Sequence, residues 1–168
     1  RRARARDTGS PEMKGLQLLA CLTILAPTAP GAVPATVPVG NPGNHADGTG
    51  YGAVAYPYRI GKYEVTNTEY CTFLNSIAAS DPHQLYDLRM SGPYGGILRS
   101  GSSGNYAYKT TGNGARKPVN FLTWESCARY SNWLTNGGGQ GDTENGSYRI
   151  RGGSITIPDH TELARGDS

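Results

Sequence analysis

The chain has 168 residues, 36% of them hydrophobic, with 24 glycines and 11 prolines. That length allows one domain with a modest core and many loops. Its net charge of +3 is a local matter: five of the sixteen basic and two of the thirteen acidic residues lie in residues 1–35, leaving eleven of each beyond. No basic stripe runs through the remainder, which argues against a nucleic-acid partner.

The chain begins with an Arg-rich segment, residues 1–12 (RRARARDTGSPE), ahead of Met13. It reads as translated upstream sequence; an arm for acidic partners is the alternative. Residues 13–35 have the anatomy of a secretory signal peptide: Lys14, an apolar run from Leu16 to Leu25, and small residues at Ala32-Val33-Pro34-Ala35. The run is shorter than the roughly 20 residues a membrane span needs. Pro27, Pro30 and Pro34 argue against a core helix. The expectation is therefore an exported, extracytoplasmic protein without a membrane anchor after processing, its domain occupying residues 36–168.

Residues 36–50 are rich in Pro, Gly and Asn and read as an extended lead-in or loop. Ala53–Tyr56 and Tyr58–Val65 alternate around Pro57 and Gly61, as two short strands or one broken strand would. Thr66 and Asn67 can cap a helix over 67–79, with Tyr70, Phe73, Leu74 and Ile77 at helical spacing and Cys71 beside them. Ser80-Asp81-Pro82 is expected to end it. Residues 81–118 are loop-rich, with anchors at Leu85-Tyr86 and Tyr94–Ile97, a turn over 99–104 and a strand over Asn105–Lys109. Lys117–Leu122 is extended. Thr123 then caps a second helix, 124–135, whose expected inner face is Trp124, Cys127, Ala128, Ser131 and Leu134, flanked by Tyr130 and Trp133. Glycines 137–139 stop it. A hairpin around Gly152-Gly153 follows.

The run Tyr58–Asn67, with Glu69-Tyr70 and Phe73-Leu74-Asn75 behind it, resembles the opening signature of the formylglycine-generating-enzyme, or sulfatase-modifying-factor, family. Lys117-Pro118-Val119-Asn120-Phe121, Trp124, Ala128-Arg129 and Asn132-Trp133-Leu134 resemble that family's second-helix signature. Segments 38–44 and 95–101 are similar to a secreted bacterial branch. The likeness spans roughly residues 38–160. It implies an α+β, C-type-lectin-like fold, loop-rich, with two helices and short twisted antiparallel strands. It also implies a sulfatase, or another secreted protein, as partner. Copper and calcium belong to full-length family members, whose reaction oxidises a sulfatase cysteine to formylglycine. The family's two redox cysteines and its Trp-rich segment lie late in the domain, and no residues here match them. Arg151-Gly152-Gly153-Ser154 matches part of a family motif, but Ile155 follows where Trp is expected. The expectation is an N-terminal half that is inactive alone, with no catalytic, cofactor or metal residues; a binding module for protein or glycan ligands is the alternative.

Cys71 and Cys127 remain after signal removal. They fit either a disulfide, worth about 3–4 kcal/mol by chain entropy, or two buried thiols. A catalytic pair would need an exposed thiolate. His45, His83 and His160 lack metal-ligand spacing. Asp47, Asp142, Glu144 and Asp159 would hold calcium only if several oxygens converged on one point. The loop 112–118 lacks a phosphate-loop ending. Asn145-Gly146-Ser147 fits a glycosylation acceptor, and Arg165-Gly166-Asp167 is a short adhesion-like match.

Overall fold

A computed structural model of the chain describes residues 33–157. Most of the signal segment, Asp159, His160 and the Arg165–Asp167 match lie outside them. Among the described residues no helix is long and apolar enough to cross a membrane. The elements are β1 (Thr36–Val39), β2 (Tyr58–Gly61), α1 (Asn67–Ile77), a 3₁₀ turn (Leu88–Ser91), β3 (Ile97–Ser100), β4 (Ala107–Thr110), α2 (Trp124–Thr135), β5 (Arg149–Arg151) and β6 (Ser154–Thr156). The strands form three separate two-stranded antiparallel ladders, β1–β2, β3–β4 and β5–β6. The described residues adopt the expected α+β class with two helices.

Helix α1 starts where its capping chemistry dictates. Thr66 accepts from the Glu69 amide through Oγ1 (3.3 Å), and the Glu69 carboxylate accepts from the Thr66 amide (2.7 Å). This reciprocal capping box satisfies two donors at the helix start and puts a negative charge in the first turn. The helix ends at Ile77, before Asp81-Pro82, because the chain turns there to serve β4. The Ala79 carbonyl accepts from Gly104 and Tyr106. Asn75 clasps Tyr108 twice, donating to its carbonyl (2.8 Å) and accepting from its amide (2.9 Å).

The core is aromatic. Tyr70 and Phe73 of α1 meet Tyr130 and Trp133 of α2 at ring-centroid distances of 5.3–5.7 Å. Leu74, Leu85, Met90 and Ile97 complete it. Tyr70 and Tyr108 are buried at their hydroxyl ends as well, donating to the Leu85 and Ala78 carbonyls.

Three expectations are corrected. Residues 53–56 form no strand; β2 pairs instead with β1, inside the segment expected to be lead-in, in the register Val37↔Ile60. Of the inner face expected for α2, Ala128 is fully buried; the other buried positions are Ser126, Tyr130, Asn132 and Trp133, and Trp124 is 60% exposed. At about 100° per residue Trp124 lies roughly 160° from Ser126, so the two large aromatics at 130 and 133 turn it outward, where it packs edge-on to Tyr148. Cys127 is consequently half-buried at the boundary.

Candidate functional site

Asp81 sits just beyond α1 with φ +51 and a side chain only 4% exposed. Its Oδ1 accepts from the Leu85 amide (2.7 Å) and its Oδ2 from the Tyr86 amide (3.2 Å). Asp tolerates this left-handed backbone, and the closed loop satisfies two buried donors. Arg99 lies on β3 on the same face as Ile97. Its Nη1 stands 3.5 Å from the Asp81 carboxylate. Its guanidinium lies over the rings of Tyr86 and Tyr106, 4.8 and 4.3 Å from their centroids. Two cation–π contacts and one counter-ion restrain this cation.

Asp81, Tyr86, Arg99 and Tyr106 line an open cleft of about 680 Å³ between the 80–88 loop, β3 and the start of α2. Ser80, Gln84, Thr123 and Glu125 supply polar groups around it, and Leu88 an apolar one. Most other charges nearby are already paired. Asp87 takes a bidentate pair from Arg89 (2.9 and 2.7 Å), which holds its carboxyl near a pKa of about 2. Arg129 forks onto Glu144 (2.6 and 3.0 Å). Burial pushes the Glu144 carboxyl up, but Arg129, Thr143 and His83 outweigh it and leave it below its usual value. Glu125 is lowered by hydrogen bonds from its own backbone and from Thr123 at the start of α2. Burial first and the Asp81 charge second push the Tyr108 hydroxyl up to about 12.

The structure disperses the other candidates. Cys71 is buried on α1 and Cys127 half-buried on α2; both are free thiols here. Burial pushes both thiols up, against the direction a nucleophile or metal ligand requires. His83 lies at the cleft rim, 3.7 Å from Glu144; His45 is on an exposed loop. Asp47 is occupied by Thr49, and Asp142 accepts from the Glu144 amide. Among the described residues no group of three or more His, Cys, Asp or Glu could hold a metal. The 112–118 loop presents carbonyls rather than an amide cradle: Gly114 and Ala115 accept from the Asn67 side chain and the Thr68 amide. In the glycosylation-type sequence, Ser147 is hydrogen-bonded to Thr135.

Sequence reasoning passed over the cleft. It read Asp81 as a helix stop and Arg99 as the start of a turn, and their pairing depends on how the 80–88 loop folds back. No family model matches the chain, and neither a curated protein nor a solved structure is significantly similar to it.

Proposed function

We propose that these residues are the scaffold part of an exported domain of the formylglycine-generating-enzyme type, with a C-type-lectin-like fold, which does not itself oxidise a sulfatase cysteine. One observation carries this reading. The two segments that bear the family resemblance, distant in sequence, lock together. The Asn67 amide donates to the Lys117 carbonyl (2.9 Å), the Val119 amide to the Val65 carbonyl (2.8 Å), and Thr66 bridges Pro118. Asn67, 2% exposed, adds a side-chain bond to the Gly114 carbonyl (2.9 Å). A shared family signature is expected where one segment's conformation depends on the other, and here each supplies the other's hydrogen bonds.

The family's copper does not fit the cysteines present. Cys71 and Cys127 lie on different helices, and burial holds their thiols in the protonated form. No oxidative step is assigned to this chain. Incubation with copper and a cysteine-bearing sulfatase peptide, read by mass spectrometry, tests the reading. Unchanged peptide is expected, and formylglycine would overturn it.

A second reading, a ligand-binding module, is favoured by the Arg99 cleft. A cation restrained by two aromatic rings and a counter-ion in the lining of an open, polar cavity suits recognition better than core packing.

A further inference from the structure

We propose that the Arg99 cleft binds an acidic monosaccharide of the hexuronate class, its carboxylate on Arg99 and its hydroxyls on the surrounding side chains, a refinement that rests on the ligand-binding reading. Four features lead there.

The first is the cation. Arg99 lies over the rings of both Tyr86 and Tyr106, is anchored at Nη1 by Asp81 and lines the cleft with its side chain 23% exposed. A guanidinium edge in a fixed plane matches a carboxylate in a two-pronged arrangement. Because the rings already hold the side chain, little conformational entropy remains to be lost on binding.

The second is charge. Asp81 is committed to two backbone amides and Arg99, Asp87 to Arg89, and Arg129 to Glu144. Glu125 stands outside these pairs and adds negative charge to the lining. Such a lining opposes a singly charged carboxylate less than a phosphate or sulfate dianion.

The third is the remaining lining. Ser80, Gln84, Thr123 and Glu125 together offer donors and acceptors. A ring carrying several hydroxyls, each both donor and acceptor, uses such a mixture, whereas a simple aliphatic acid leaves most of it unmet. The fourth is size. At about 680 Å³ the cavity lies within the range of small-ligand sites, about 300–1,000 Å³, and has room for one sugar ring and its waters.

The test uses the full chain and three probes: glucuronate, glucose (the ring without the acid) and acetate (the acid without the ring). Binding is followed by amide chemical shifts. Glucuronate is expected to shift Gln84, Tyr86, Arg99 and Tyr106, with an affinity at least about tenfold above glucose, as expected for one charge-assisted bidentate contact, and at least about tenfold above acetate, which lacks the hydroxyl contacts. Arg99→Lys, which keeps the charge but loses the planar fork, is expected to weaken glucuronate about tenfold. Gln84→Gly suits the positive φ of 52 at that position and gives a second variant on a fold-neutral site; it should weaken glucuronate while leaving shifts outside the cleft unchanged. Glucose binding as tightly as glucuronate would overturn the acidic-sugar assignment and leave the ligand-binding reading standing. Absence of any cleft shift with all three probes at about 50 mM, well above the millimolar range of weak sites, would overturn both.

Discussion

Asp81 joins the cleft to the fold, and its removal is the most informative perturbation. Asp81→Ala leaves the Leu85 and Tyr86 amides without their acceptors at 2.7 and 3.2 Å and takes the counter-charge from Arg99. A buried donor left unsatisfied costs about 1–3 kcal/mol. Arg99 keeps some solvent, so its loss adds less than the 3–5 kcal/mol typical of a fully buried pair. Alanine at φ +51 adds about 1 kcal/mol of backbone strain. The sum is about 4 kcal/mol, a large share of the roughly 5–15 kcal/mol that keeps a domain folded. With a urea slope of about 1–3 kcal/mol per molar, the unfolding midpoint falls by about 2 M. Trp133, 2% exposed, reports the transition by fluorescence. Asp81→Gly separates the contributions, since it removes the carboxylate but not the tolerance of positive φ; it should recover about 1 kcal/mol of the loss. Asp81→Asn keeps one acceptor and should fall between Ala and the parent. A midpoint for Asp81→Ala within about 0.5 M of the parent would refute the reasoning.

Thr66→Ala removes the capping box of α1 and should cost about 1 kcal/mol in thermal or urea unfolding, with Thr66→Ser nearly neutral. Phe73→Ala, at a site with 0% exposure amid three other aromatic rings, should cost about 3–5 kcal/mol, and loss of under 1 kcal/mol would contradict the aromatic core. Alkaline stability follows from the tyrosines: burial raises Tyr70 and Tyr130, and Tyr108 reaches about 12. Because the unfolded side chains ionise near 10, the unfolded state loses these protons first. Stability contributed by the raised groups is whole below that pH and declines as pH climbs through about 10–12. Ultraviolet titration should find late-ionising tyrosines whose transition coincides with unfolding. For the cysteines, native thiol labelling with peptide mapping should modify Cys127 before Cys71, and both slowly at neutral pH. Unreactive Cys71 and Cys127 in the unfolded, unreduced chain would instead establish the bridge.

The sequence made legible whatever rests on local chemistry. Thr66 and Thr123 announced both helix starts, because a cap is a short-range hydrogen bond. Gly152-Gly153 announced the β5–β6 turn, both residues having positive φ. What it concealed depends on distant partners. Thr36–Val39 has no strand pattern of its own and becomes one by pairing with Tyr58–Gly61. The inner face of α2 depended on which aromatics α1 presents, and Tyr70 and Phe73 select Tyr130 and Trp133 over Trp124. The cleft was the least legible part. Asp81, Arg99 and Tyr106 carry no spacing rule, and their meeting follows from the Asn75 clasp on Tyr108, which sets β4 and, through it, β3 against α1.

The segments around Asn67 and Val119 form one scaffold, each holding the other's backbone. Amide hydrogen exchange of the folded chain measures this directly. The Asn67 and Val119 amides, bonded to Lys117 and Val65, are predicted to exchange as slowly as core α1 amides such as that of Leu74. Exchange at the rate of the exposed turn amides of Gly152 and Gly153 would show that the two segments do not hold each other.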